Sequence, residues 1–269
     1  MWQKLNRIDI YELKKVRIQL INAAQLVSAA SRSFHKKTSN ERSDWLYWGK
    51  ADASISCCQI GSKEKINVSL DLEQFVISII GQNGHIEHLV LSGMTYPMAY
   101  GWMKIKLDTF HLDGQKFNDT PPYTIEKNLS PDEEMNMTNQ SVLNDLKIYY
   151  SNAYFLLNYL NAELGIGGEI LIDPVNLSLK LIPNNVDNRI IFGFAPGDQD
   201  YLEAYFFIQF PKDKEKLSLE IDGEMGIRNT KGWNGMVYLT SEFMTINPAN
   251  EMEKVVTFFK YNINSLFDS

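Results

Sequence analysis

The stretch INVSLDLEQFVISIIGQNGHIEHLVL, residues 66–91, decides the fold. Ile66, Val68, Leu70 and Leu72 alternate with Asn67, Ser69 and Asp71, the period of two expected of a strand with one buried face. Phe75 to Ile80 is an apolar run broken only by Ser78, and Gln82-Asn83-Gly84 joins it to Ile86–Leu91, because Asn-Gly supplies the positive φ that a tight hairpin needs. Upstream, Ala51, Ala53, Ile55 and Cys57 alternate with Lys50, Asp52, Ser54 and Ser56 in the same way. Together these segments predict sequential antiparallel strands.

On either side the period changes to that of a helix. Leu13, Val16, Leu20, Ala24 and Val27 form one apolar stripe over roughly residues 9–34, and Ile18, Ile21 and Leu26 widen it, so this helix should be covered on more than one side. His35 to Asp44 is polar and aperiodic and reads as a surface loop. After the strands, Pro97 suits the first turn of a helix whose predicted buried face is Met98, Trp102, Ile105, Thr109 and Leu112, with Gly114 as its stop. Residues 115–138 contain Pro121, Pro122, Pro131 and the acidic run Asp132 to Glu134, and read as a connection.

The pattern then restarts. Leu143, Leu146, Tyr150, Ala153, Leu157, Leu160 and Leu164 mark a second long helix, which Gly165, Gly167 and Gly168 end. Ile170 to Ile182 reads as one long or bent strand with its bend at Asp173-Pro174. Further strands are expected at Ile190–Phe194, Leu202–Phe210, Leu217–Ile221 and Met236–Phe243. Asn247 before Pro248 opens a closing helix striped by Met252, Val255, Phe259, Ile263 and Leu266. Residues 1–114 and 139–269 thus read as two α-β(3–5)-α pseudo-repeats in one compact unit. The predicted class is α+β, with antiparallel sheets packed against helices.

Composition narrows the function classes. Of 269 residues 44% are apolar and 22% charged, the balance of an ordinary packed protein. A net charge of −7 opposes binding to nucleic acid, whose affinity rests on Lys and Arg neutralising phosphates. Charges at Lys4, Arg7, Asp9, Glu12, Lys14 and Lys15 argue against a secretory signal, and no run approaches the ~18 apolar residues of a membrane span. The two cysteines, Cys57 and Cys58, are neighbours and give no disulfide framework. The expectation is a cytoplasmic protein without nucleic-acid or membrane partners; a homodimer is left open.

Chemical signatures are sparse. His85 and His88 fall on opposite strand faces and cannot easily share a metal, so no metal site and no cofactor are expected. Gly165-Ile166-Gly167-Gly168 runs from helix to strand, the reverse of a phosphate cradle, and reads as a helix stop. Asp198 and Asp200 sit in a Pro-Gly loop that reads as a solvated turn. Glu220, Asp222 and Glu224 share one strand face, where they could hold a divalent cation or exchange protons; solvated charge on an edge strand is the commoner cause. No Gly-x-Ser-x-Gly elbow occurs, and no cysteine stands in a recognisable nucleophile pattern with a histidine. The aromatics Trp45, Tyr47, Trp48, Trp102, Tyr150, Tyr154, Tyr205 and Phe207, with the amides Asn22, Gln25 and Asn176, have the composition of a small-molecule lining, although a large aromatic core would look the same. The candidate ligand-binding set is Gln25, Trp45, Trp48, Trp102, Tyr154, Asn176 and Tyr205. The expected function is binding of a small, partly apolar ligand where the halves meet, the alternatives being a carboxylate and tyrosine enzyme or a structural partner-binding protein.

Gly193-Phe194-Ala195-Pro196-Gly197, followed by an aromatic strand through Tyr205 that closes on Pro211, resembles a family of bacterial proteins catalogued as domain of unknown function 5996. The likeness extends to Gln25 in the first helix, to Trp45 at the entry of the first strand, and to the order of elements. That family commonly follows its glutamine with glycine and lysine and places histidine before its tryptophan, whereas this chain has Leu26, Val27 and Asp44. The resemblance therefore implies a shape, and no reaction comes with it.

Overall fold

The computed structural model describes residues 1–35, 44–49, 52–61, 65–137, 139–184, 190–211, 225–230, 232–245 and 247–267. The chain divides into two compact units. A meander unit comprises Lys15–Lys147 and Ile172–Leu177; a terminal unit comprises Met1–Lys14, Ile148–Leu171 and Ser178–Ser269. Helix α1, Ile10–Phe34, contributes residues to both. Asp9 starts it by accepting the backbone N–H groups of Tyr11 and Glu12 at 2.9 and 3.1 Å, which satisfies two donors that a helix start leaves without partners.

In the meander unit five short strands follow, β1 Tyr47–Gly49, β2 Ser54–Ser56, β3 Ile66–Asp71, β4 Val76–Gly81 and β5 Ile86–Val90. They pair antiparallel in the order of the chain. The alternation holds: Ile66, Val68 and Leu70 are buried and face Gly81, Ile79 and Ile77 on β4. Phe75 precedes β4, since its φ of 52° puts it in the turn where Asp71 accepts the Gln74 N–H at 2.8 Å. At the next hairpin Gly84 has φ 82°, as the Asn-Gly pair requires. A two-strand ribbon, β6 Met94–Thr95 with β7 Glu134–Met135, brackets helix α2, Tyr96–Thr109. The buried face of α2 is Ala99, Met103 and Leu107, continued by Phe110. This corrects the predicted stripe: Met98 and Ile105 are exposed, because the helix is rotated by about one residue and Thr95, capping Met98, fixes where it starts.

The terminal unit takes most of helix α3, Gln140–Glu163, and, apart from Ile172 and Asp173, a sheet of six strands: β8 Gly168–Asp173, β9 Ser178–Pro183, β10 Ile191–Ala195, β11 Tyr205–Gln209, β12 Ile227–Asn229 and β13 Gly235–Leu239. Their order is β12-β13-β11-β10-β9-β8. Residues 170–182 are a hairpin where the sequence suggested one bent strand. Asp173 accepts the Val175 N–H at 3.0 Å, Leu177 takes φ 58°, and the chain reverses. The stretch 236–243 ends as helix, with α4 at Thr240–Phe243, because Glu203 accepts the Thr240 hydroxyl and the Ser241 N–H at 3.0 and 2.8 Å. The segment Leu217–Ile221 and the carboxylates Glu220, Asp222 and Glu224 lie outside the described residues.

One face of the six-stranded sheet is aromatic and meets the helices. Phe194 packs on Tyr149 and Tyr150 of α3, and Phe192, Phe206 and Tyr238 pack on Phe258 and Phe259 of α5, Pro248–Phe267. The fold is thus α+β, with two antiparallel sheets packed against helices. Helix, strands, helix recurs along the chain, but the five-stranded meander and the six-stranded order are different connectivities. No helix among the described residues is long and apolar enough to cross a membrane.

Asn247 caps α5 as expected, accepting the Ala249 N–H at 3.0 Å. Four residues on, Glu251 is fully buried, and its carboxylate accepts Trp2 Nε1–H, Leu5 N–H and Thr245 N–H at 3.2, 3.2 and 3.1 Å. The first residues of the chain are thereby fastened to its last helix. Glu251→Ala strands these donors, and a loss of about 3 kcal/mol in urea unfolding is expected. A loss below about 1 kcal/mol would show that the carboxylate is dispensable.

Candidate functional site

The site is built on the polar side chains of α1, all in the meander unit. Arg17 is 1% exposed and is held by Glu126, with Nε to Oε2 at 3.1 Å and Nη2 to Oε1 and Oε2 at 2.9 and 2.8 Å. One turn further, Asn22 donates to the carbonyl of Lys127 at 2.9 Å and accepts the Leu129 N–H at 3.2 Å. Gln25 donates to the carbonyl of Pro174 at 2.7 Å and accepts the Tyr123 hydroxyl at 3.1 Å. Ser28 donates to the carbonyl of Asp44 at 2.8 Å. Asn22, Gln25, Ser28 and Arg32 step along the helix by three, three and four residues, the spacing of one face.

These groups fix residues 117–129 along the helix as a strap. Phe117, Ile125 and Leu129 are its buried apolar anchors. Its backbone is pinned again where Ser33 Oγ accepts the Asn118 N–H at 3.0 Å and the Tyr100 hydroxyl donates to the Phe117 carbonyl at 3.0 Å. A segment with no regular structure is held here because each polar contact is made by a helix that is itself rigid.

At the C-terminal end of α1 the strap leaves an open groove of about 520 Å³. It is lined by Arg32, Ser33, Asp44, Lys116, Asn118, Thr120 and Pro122. Lys116 closes a short 3₁₀ turn, Gly114–Lys116. Arg32 is fixed: Nη1 donates to Ser28 Oγ at 2.8 Å and reaches the Tyr123 hydroxyl at 3.5 Å, and Nη2 donates to the Asp119 carbonyl at 3.4 Å. A guanidinium has five donors, and these contacts use three. Burial raises the phenol of Tyr96 well above its usual range, and the negative charge of Asp119 adds to this. Burial also raises Tyr123, against the smaller effect of its hydrogen bond with Ser28. Both phenols therefore stay protonated and neutral across the physiological range.

No family model, curated protein or solved structure matches the chain. Its site is read from its own geometry.

Of the candidate ligand residues, Gln25, Trp45, Trp48, Trp102 and Asn176 belong to the meander unit, and Tyr154 and Tyr205 to the terminal unit. Gln25, Trp45 and Trp48 are buried, at 2%, 7% and 5% exposure, and Trp102 and Asn176 are half-buried. Tyr205 is buried, its hydroxyl given to Asp198, while Tyr154 is half-buried. Asp198 also accepts the Asp200 and Tyr201 N–H groups at 2.8 Å, so it organises a turn as the sequence suggested. Gln25 is tied to the groove through Tyr123, whose hydroxyl Arg32 reaches. Arg32, Lys116, Asn118 and Thr120 were not singled out by sequence. The available signal was the length of the stretch 115–138, since long irregular segments in compact proteins are often functional.

The strap can be tested at Glu126. In Glu126→Ala the buried Arg17 guanidinium loses its counter-charge, and a destabilisation of about 3 kcal/mol is expected in denaturant titration. Wild-type stability in that variant would mean that the ion pair does not hold the strap.

Proposed function

We propose that the chain binds a small polar zwitterion of the amino-acid type in the groove at the end of α1. One observation carries this reading. The groove presents both signs of charge on positioned residues, with the Arg32 guanidinium tied to Ser28 and Asp119, and with Asp44 held through its carbonyl by Ser28. A ligand carboxylate would meet Arg32 and Lys116, where a planar guanidinium offers paired donors. A ligand ammonium would meet Asp44, and Ser33, Asn118 and Thr120 would orient the remainder. The volume falls within the range of about 300–1,000 Å³ typical of small-molecule sites. Pro122 is the single apolar side chain of the lining, so the ligand is polar.

This keeps ligand binding as the function and puts the ligand at the groove. Trp45, Trp48 and Gln25 are packed in protein and leave little surface for a ligand to touch. Kinship with the domain of unknown function 5996 family is part of the same proposal and rests on the Gly193 to Pro211 stretch. Gly193 has a packing reason of its own in this chain, because a side chain there would collide with the Phe207 ring paired opposite. No activity follows from that kinship.

Thermal shift against the amino acids at 10 mM, with acetate and ethanolamine as half-ligand controls, tests the reading. At tenfold excess over Kd a ligand adds about 1.4 kcal/mol, or roughly 3 °C in Tm for a chain of this size. Arg32→Gln and the surface variant Lys116→Gln are expected to abolish or weaken the shift. An amino acid that stabilises wild type and both variants equally would place binding elsewhere, and no response at all would remove the reading.

A further inference from the structure

A second group of reactive side chains lies on the same helix, on contacts separate from those of the groove. Cys58 follows β2, and its Sγ is 3.1 Å from Nδ1 of His35 and 3.1 Å from the hydroxyl oxygen of Ser31. Ser31 lies in the last turn of α1 and His35 just past its end, its N–H still donating to the Ser31 carbonyl at 2.8 Å, so the two side chains stand together at the sulfur. Cys58 and His35 are both half-buried, so the pair is not sealed inside the core as Cys57 is. A thiol within hydrogen-bond reach of an imidazole nitrogen is the arrangement that makes a sulfur nucleophilic, because the ring can take the proton as the sulfur reacts. The Ser31 hydroxyl can donate to the thiolate that results.

The neighbouring cysteine supplies a built-in comparison. Cys57 is fully enclosed, its N–H donates to the Val68 carbonyl at 2.9 Å, and its Sγ donates to the carbonyl of Cys58 at 3.1 Å. Burial pushes its thiol up to about 12, so it stays protonated and inert. Two adjacent residues of one type thus stand in opposite environments. Among the described contacts, Ser31 in the last turn of α1, His35 just past its end and Cys57, the preceding residue in the chain, face Cys58.

We propose that Cys58 is a peroxide-sensitive thiol activated by His35. Nδ1 of His35 takes the proton from Sγ. The thiolate then attacks one oxygen of the peroxide, forming an S–O bond as the O–O bond breaks. The departing hydroxide or alkoxide takes the proton back from His35. Cys58 is oxidised by two electrons to the sulfenic acid, and the peroxide is reduced to water or an alcohol. Cys57, adjacent in sequence and directed elsewhere, does not readily complete a disulfide, since a bond between neighbouring residues is strained. The sulfenic acid therefore persists until an external thiol reduces it.

Two measurements on the full chain decide this. Native protein is treated with hydrogen peroxide and dimedone, and the labelled peptide is sequenced by mass spectrometry; the label is expected on Cys58 and not on Cys57. Burial alone could produce that selectivity, so the second measurement is the pH dependence of iodoacetamide alkylation of Cys58 in a Cys57→Ser background. The rate is expected to reach its plateau at least about one pH unit lower with His35 present than in His35→Gln, with a threefold or greater difference at pH 7. Superimposed pH profiles would overturn the proposal. So would the absence of a dimedone adduct on wild-type Cys58, an outcome that does not depend on whether any variant folds.

Discussion

The meander unit depends on a polar stripe buried along one helix. Helix α1 has enough apolar surface to be enclosed, yet it carries Arg17, Asn22 and Gln25 into the interior and Ser28 and Arg32 toward its end. Each would cost several kcal/mol if left without partners in an apolar setting. The chain meets that cost by laying an irregular strap against the helix, so that backbone carbonyls and N–H groups which also need partners find them there. The two demands offset each other.

The terminal unit solves a different problem by ordinary means. Its sheet is packed with rings, and aromatic contacts at 5–6 Å between β10, β11, β13 and α5 supply the enclosed surface. Among its buried polar residues is the carboxylate of Glu251, placed in the first turn of α5, where the helix leaves N–H groups unpaired and favours a negative charge. Because its donors come from Trp2, Leu5 and Thr245, the same carboxylate that suits the helix start also holds the chain's beginning.

Much of this fold was legible from periodicity. Ile66 to Leu91 alternates because one face is buried, and Asn83-Gly84 turns because glycine accepts positive φ. Where the reading slipped, a local cap decided the matter: Thr95 fixed the start of α2, Asp173 closed a hairpin, and Glu203 turned Thr240 into a helix start. The groove was not legible. Arg32 and Asp44 lie far in sequence from Lys116 and Thr120, and the two pairs become neighbours because Asn22, Gln25 and Ser33 fasten the strap. Gln25 was singled out as an amide of a ligand lining, and the structure shows it buried in the stripe that holds the strap. Its partner is Tyr123, so it contributes to the groove by positioning another side chain.

This layering bears on how a polar groove could discriminate. Open, water-filled clefts bind weakly when their charged side chains must be ordered by the ligand, since each long side chain costs about 0.5–1.5 kcal/mol to immobilise. Arg32 avoids this cost, because Ser28 and Asp119 hold it whether or not a ligand is present. Its place in the last turn of α1 helps further, as the partial negative charge of a helix end favours a cation there. Lys116 has no such support: it lies on an exposed turn beside Asp113 at 3.6 Å, and an ion pair of that kind contributes little. The two cations are therefore unequal. Arg32 can set the orientation of an anionic group, while Lys116 can add attraction without geometry, so selectivity in the groove should rest on the buried polar stripe that holds Arg32 in place.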